Sequence, residues 1–419
     1  MNVADTNPQT ARTQEQRGWQ TALLWWVVAG ALGVLLRYLL LRPSATLVYP
    51  YWLHAHSHVV LLGWAFNALF LALVAQFVSS AQQKAYRPIW IGFQVAIVGM
   101  LGLFPVQGYA AGSIVFSTLH VLLSYYMAWR LRTDLRPDRS LAARFVRWGL
   151  LFLVVSTLGP YALGILKARH LHETIWYNLS IYFYLHFLYN GWFIFGCLAL
   201  LIRPLERWGC MPTGRAANWF LAVWVAATVG TLALSALWTQ PPAWVWGVGG
   251  VAGIVQLGAG SWLIWQLWQG RSRLQSELRP VAYRLGQLAL VSFGLKLGLQ
   301  AWSASVWATE WSYAQRHLVI AYLHLVFIGV ISFFLLAWAI QRGVLRPSGP
   351  ALGLILVFFI LTEGGLVFES ILQRTGTYLP YFAQLMLFFS VGLWMGVVGL
   401  WRAATGQTKG ATSMEVAPG

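Results

Sequence analysis

Charge is what this sequence has least of: only 9% of its 419 residues are Asp, Glu, Lys or Arg, and 11 of them are acidic. Average proteins carry about a quarter charged residues, so a water-exposed globule of this length is excluded, as is a charge-rich disordered chain. Cysteine is nearly absent, and Cys197 and Cys210 alone make no disulfide framework. What is present is apolar: 58% hydrophobic and 16% aromatic residues, with a mean hydropathy of +0.63. Such a chain belongs in a bilayer. The 28 Lys and Arg give a net charge of +17, which would also suit a nucleic-acid partner, so their positions must be settled first.

A membrane-crossing helix needs about 20 apolar residues. Twelve such runs follow one another near 19–41, 52–78, 88–110, 112–131, 142–166, 175–202, 217–238, 243–268, 280–303, 315–340, 350–369 and 380–401, separated by Pro, Gly and charge clusters. The expected fold is an all-α polytopic membrane protein. A twelve-helix domain spans 19–402, with polar tails at 1–18 and 403–419. The first run is too long for a removable signal peptide and lacks a small-residue cleavage site, so the N-terminus is expected to be retained. Of the 28 Lys and Arg, 21 fall on the N-terminal side of this map and seven on the other. That asymmetry predicts cytoplasmic termini in an inner membrane of bacterial type, and it accounts for the net charge without nucleic acid. The 25 Trp and 17 Tyr fit interfacial belts in contact with lipid.

The nine histidines are distributed unevenly on this map. His54, His56 and His58 open span 2, His120 lies in span 4, His170 and His172 precede span 6, His186 is inside span 6, and His317 and His324 open span 10. His58, His120, His186 and His324 fall roughly 9 to 17 Å below the non-cytoplasmic surface at about 1.5 Å per residue. No histidine is assigned to the cytoplasmic half. Imidazole is the commonest ligand for transition metals, and ionisable groups inside a membrane are candidates for function. The competing reading is a polar seam of interhelical hydrogen bonds.

His58, His186 and His324 are each followed five residues later by glycine, at Gly63, Gly191 and Gly329, on spans 2, 6 and 10. Two copies read Tyr-Leu-His, at Tyr184-Leu185-His186 and Tyr322-Leu323-His324, and two end Gly-Trp, at Gly63-Trp64 and Gly191-Trp192. A repeat every four spans predicts three pseudo-symmetric four-helix arcs. The glycines fit close approach of a helix or a flat cofactor. On a helix His54 and His58 share a face and His56 points elsewhere, so both a chelating pair and a separate ligand are open. His317 and His324 are seven apart and could serve two stacked sites. Tyr182, Tyr189 and Asn190, at −4, +3 and +4 from His186, suggest a proton-delivering face, with packing as the alternative.

Arg37 in span 1 and Lys296 in span 9 could pair with propionates of a haem or snorkel, and for Lys296 snorkelling or a structural pair is favoured. Glu363, deep in span 11, could relay protons, support a histidine or sit as a buried neutral acid. His170, His172 and Glu173 suggest a copper or zinc entry site or a solvated loop.

Twelve helices with histidines on spans 2, 6 and 10 resemble the catalytic subunit of the haem-copper oxidase and nitric oxide reductase superfamily, over nearly the whole chain. The resemblance implies that a span-2 histidine, most simply His58, and His324 hold a low-spin haem, and that His186 faces a second metal. It also implies a tyrosine near that histidine, which the family places at +4. Span 7 here lacks the family's His-His pair, and span 10 lacks its closely spaced pair. Tyr51-Trp52-Leu53-His54-Ala55-His56 is similar to the Trp-x-His-x-His opening of the NnrS family, twelve-span haem and copper proteins linked to nitric oxide metabolism, with Ser57 where that family has glutamate.

The function these readings imply is a membrane oxidoreductase that binds b-type haem, with copper as a second metal. It would act on nitric oxide or oxygen, or pass electrons from quinol or a cytochrome or cupredoxin donor. Cofactor ligands are expected among His58, His324, His317 and Arg37, and metal ligands among His54, His56, His186 and His120. Tyr189, Tyr182 and Glu363 are the expected catalytic groups. The alternative is a non-catalytic copper or haem handling protein or a metal transporter.

Overall fold

The computed structural model describes residues 8–415, which are helical with no strand among them. Among the described residues, eleven helices are long and apolar enough to cross a membrane. We number the long helices α1 (Pro8–Leu41), α2 (Tyr49–Phe77), α3 (Ser80–Gln107), α4 (Ala111–Asp134), α5 (Leu141–Ala168), α6 (Ile175–Arg207), α7 (Gly214–Thr239), α8 (Ala243–Gln269), α9 (Pro280–Trp302), α10 (Arg316–Gln341), α11 (Gly349–Arg374) and α12 (Phe382–Glu415). The expected twelfth span, α9, is the one that falls short. It has 23 residues, enough for about 34 Å, but Arg284, Gln287, Lys296 and Gln300 dilute its apolar run.

The polar tails expected at 1–18 and 403–419 are, where described, helical extensions of α1 and α12. Residues 1–7 and 416–419 lie outside the described residues.

The chain divides into two compact units. The first holds α1, most of α2, α3, the first half of α4, the end of α10, α11 and α12. Within it α12 packs along both α1 and α11. Gly30 of α1 faces the Trp394 ring of α12, and the Trp394 indole N–H donates to the Val27 carbonyl at 3.0 Å. The second unit holds the rest of α4, α5 to α9 and most of α10, with α5 on α6, α7 on α8 and α8 on α9.

The three-copy histidine repeat has a backbone counterpart. Immediately after His58, His186 and His324 the helix widens into a π-helical segment, at Val59–Phe66, Phe187–Phe193 and Leu325–Ser332. Each segment contains the repeat's glycine and packs on the helix preceding its own, α1, α5 and α9 in turn. Gly63 lies where a Cβ would meet Trp25 Cβ and Cγ at 3.0 Å, and Gly191 where it would meet Phe152 Cγ at 2.8 Å. A π turn is unfavourable in isolation and recurs at functional sites, so its carbonyls need partners. In the first copy a buried chain supplies them: Trp25 N–H donates to Gln94 Oε1 at 2.7 Å, Gln94 donates to Asn67 Oδ1 at 2.8 Å, and Asn67 donates to the Leu62 and Gly63 carbonyls at 2.9 and 3.0 Å. In the third, Ser332 Oγ donates to the Phe327 carbonyl at 2.8 Å.

The turn from α4 to α5 is tied by charge. Asp138 pairs with Arg203 at 3.0 Å and accepts from Ser140 N–H at 2.9 Å, while Glu206 accepts from the first two amides of α5, Leu141 and Ala142. Those amides have no partner inside the helix, and a carboxylate there is favoured. Burial pushes the Asp138 carboxyl up, but hydrogen bonds from Ser140 and the Arg203 charge outweigh it and hold it below its ordinary value.

Two outcomes are expected. Gly63→Leu and Gly191→Leu each destabilise by about 1–3 kcal/mol through overpacking, whereas Gly247→Ala and Gly298→Ala, where nothing lies within 4 Å, are neutral or mildly stabilising; thermal unfolding in detergent measures both. A depressed carboxyl stabilises above its unfolded value, about 3.9, and that stability is lost as pH falls through the folded value. The gap between wild type and Asp138→Asn is therefore present at neutral pH and closes in the acid arm of a stability profile.

Candidate functional site

Two buried polar constellations stand out, one in each unit. In the second unit, four helices contribute to one continuous hydrogen-bond chain. Lys296 Nζ of α9 donates to Gln300 Oε1 at 2.5 Å, Gln300 Nε2 donates to Gln256 Oε1 of α8 at 2.7 Å, and Gln256 Nε2 donates to Thr228 Oγ1 of α7 at 3.0 Å. The Thr228 hydroxyl donates to the Trp224 carbonyl at 2.9 Å. From α6, His186 Nε2–H donates to the Thr228 main-chain carbonyl at 2.8 Å, and its Nδ1 accepts from Asn190 Nδ2 at 3.3 Å. Lys296 is 1% exposed and His186 6%.

Of the two readings favoured for Lys296, the structure shows the structural pair: the side chain is sealed among helices, one turn from an amide that accepts from it. An ammonium has three N–H donors, and Gln300 is its one acceptor among the described residues. His186, expected to face a second metal, has protein partners on both ring nitrogens. Tyr189, expected beside it, makes no hydrogen bond among the described residues; its ring packs on Phe193 and Phe327. In the widened turn it is position +4, Asn190, that bonds the His186 ring. Asn190 Oδ1 is buried and has no partner among the described residues. Tyr182, one turn earlier, directs its ring to Trp238 at 6.1 Å.

In the first unit, the α2 histidines are pinned by main-chain carbonyls. His58 Nδ1–H donates to the His54 carbonyl at 2.8 Å, so Nε2 is the lone-pair nitrogen, and the Tyr109 hydroxyl donates to it at 3.2 Å. The His54 and His58 rings both lie against Phe104 and Tyr109. His56 points the other way, as the 100° step requires, and its Nδ1–H donates to the Ala29 carbonyl of α1 at 2.9 Å. Gly33, one turn along, leaves room for that ring: a Cβ there would meet His56 Cε1 at 3.2 Å. His120 lies within electrostatic reach of His58, and its ring sits against Phe66 and Phe93 at 4.9 and 4.7 Å. Arg37 and Glu363 fall in this unit within electrostatic reach of one another. His317 and His324 are half-buried on α10 in the second unit.

Among the described residues no three His, Cys, Asp or Glu side chains come together as a metal cage. Gln256, Gln300 and Thr228 escaped sequence reasoning, although an i,i+4 Lys-Gln pair inside an apolar span, facing a mid-span Gln on the preceding one, was a readable signal. Fold and site define a polytopic helical membrane protein with buried histidine-centred polar networks. No protein-family model matches the chain, and no curated protein is similar to it in sequence.

The two ends of the second-unit chain should respond differently to removal. Lys296→Met removes a charge held by a single neutral acceptor and is expected to leave thermal stability unchanged or higher. Gln256→Leu strands the Gln300 amide and costs about 1–3 kcal/mol. A large loss with Lys296→Met would make the lysine a structural strut.

Proposed function

We propose that this chain is a membrane haem protein working in redox chemistry. The observation that carries the reading is the pinning of His58 by Nδ1–H donation to the His54 carbonyl, which fixes the tautomer and makes Nε2, met by the Tyr109 hydroxyl at 3.2 Å, the lone-pair nitrogen. Metal-bound histidines almost always donate their other ring N–H in this way. The residues fit haem better than a bare ion. Copper or zinc in a protein cage takes three or four side chains, which the described residues do not assemble, whereas haem iron needs only one or two. His58 would hold the iron through Nε2, in place of the hydrogen bond from Tyr109, whereas His56 faces away toward α1, its ring in the space that Gly33 leaves, and would not share that iron. His324 opens the third π segment in the same register as His58 and is the corresponding candidate in the second unit.

Bound haem would supply one-electron chemistry or an open coordination position for a diatomic gas. The protein's part is to hold the imidazoles, keep water from them with Phe104 and the surrounding apolar helices, and place the Tyr109 hydroxyl on the Nε2 side of His58. Nitric oxide or oxygen is the proposed substrate class, with quinol or a small cytochrome or cupredoxin as donor. The 21 basic residues on the N-terminal side favour cytoplasmic termini in an inner membrane, with the histidines toward the outer face. Copper or haem handling without turnover is the second reading, and the pinned tautomers serve it equally.

The test is a reduced-minus-oxidised visible spectrum of the purified protein, with iron and copper quantified on the same sample. Haem bands with stoichiometric iron are expected, and His58→Ala should lower the band by half or more while the apoprotein unfolds at an unchanged temperature. A colourless protein after expression with ample haem, or a full band in His58→Ala, would overturn the reading.

A further inference from the structure

The short turn between α5 and α6 carries a site that the haem reading does not use. Helix α5 ends in a Schellman motif: the Leu171 N–H reaches back to the Leu166 carbonyl at 2.8 Å and the His170 N–H to Lys167 at 3.1 Å, with His170 in the left-handed region at φ 59°. Glycine normally takes that position because a Cβ is disfavoured there. The same 6→1 bond closes three other helices here, Cys210 to Leu205, Val344 to Ala339 and Thr377 to Leu372, and in each the left-handed residue is glycine: Gly209, Gly343 and Gly376. At the fourth, a histidine stands where the chain elsewhere uses glycine. Backbone strain of this kind persists at sites where the side chain has work to do.

What His170 faces is a cleft of about 300 Å³ lined by Lys167, His170, His172 and Tyr177. Every one of these side chains can donate a hydrogen bond, and no carboxylate is among them; Glu173, next in sequence to His172, is not part of the lining. Lys167 and Arg169 are also two of only seven basic residues on this side of the spans. The turn lies where the helices leave the apolar layer, flanked by exposed Leu171, Ile175 and Trp176, side chains suited to the acyl and interfacial zones of a membrane. One cation, Lys167, and no carboxylate line the cleft, a set that suits an anion better than the copper or zinc entry site that His170, His172 and Glu173 leave open beside a solvated loop.

We propose that this cleft binds a phosphate-bearing anion, supplied in the membrane by an anionic phospholipid headgroup. Lys167 provides the charge, the two imidazoles and the Tyr177 hydroxyl provide directed donors, and the apolar flank takes the lipid's upper chain. The proposal is independent of haem.

The experiment is native mass spectrometry of the full-length protein released from micelles containing phosphatidylglycerol and phosphatidylcholine in equal amounts. Wild type is expected to retain phosphatidylglycerol preferentially. Lys167→Gln and His170→Gly should each weaken that retention on the order of tenfold, the loss of one charge-assisted contact. His170→Gly is the decisive variant, because glycine suits the backbone there and its melting temperature should equal or exceed that of wild type. Displacement of the lipid by inorganic phosphate supports the phosphate chemistry with a soluble source; resistance to displacement supports the lipid. Equal retention of the two lipids, unchanged retention in both variants, or Zn²⁺ binding that disappears in His170→Gly in place of lipid selectivity would overturn the proposal.

Discussion

Hydrocarbon offers no hydrogen bonds, so every polar atom a membrane helix carries must find its partner within the protein. Much of this structure follows from that requirement. The π-helical turns after His58, His186 and His324 disturb the regular i→i+4 ladder, and in the first and third copies a side chain, Asn67 or Ser332, reaches back to cover the carbonyls that the disturbance releases. The glycines of the repeat then allow a neighbouring helix to seal the widened turn, Trp25 over Gly63 and Phe152 over Gly191. Histidine, wide turn, glycine and covering aromatic act as one local device.

The device is used in two ways. In α2, His58 and His56 donate Nδ1–H to carbonyls of their own and an adjacent helix, and His58 Nε2 accepts from the Tyr109 hydroxyl. In α6, His186 donates from Nε2 to the Thr228 carbonyl and accepts at Nδ1 from Asn190, beside a chain of amides and a hydroxyl that reaches a buried lysine. Equal spacing in the sequence therefore does not mean equal chemistry. What differs is the neighbour at the wide turn, Asn190 over His186 against Tyr109 beside His58.

Much of the fold was legible because its signals are long. Apolar runs of 20 residues and a histidine-glycine spacing repeated three times survive errors of a few residues, and both correspond to features of the structure. The site was less legible, since it turns on rotations of a fraction of a turn. Spacing puts Tyr182, Tyr189 and Asn190 all on the His186 face, and only the structure shows that Asn190 is the one of the three that bonds the ring. For Lys296 both snorkelling and a structural pair are open from the sequence, and only the positions of Gln256 and Gln300 on two helices show why it stays inside. The same polar residues made α9 less apolar than its neighbours. The strained backbone at His170 had no sequence signal at all, because a histidine after a helix is unremarkable until the glycines at the other three helix ends are seen beside it.

The chain from Lys296 to Trp224 has a further property, set by its two ends. A lysine ammonium can only donate and a main-chain carbonyl can only accept, so the direction of every bond between them is determined. Neither Gln300 nor Gln256 can turn its amide over alone, because doing so would set two donors or two acceptors face to face. The chain thus has a single orientational state, its dipoles aligned head to tail across α9, α8 and α7. It joins those three helices through side chains whose polarity all runs one way.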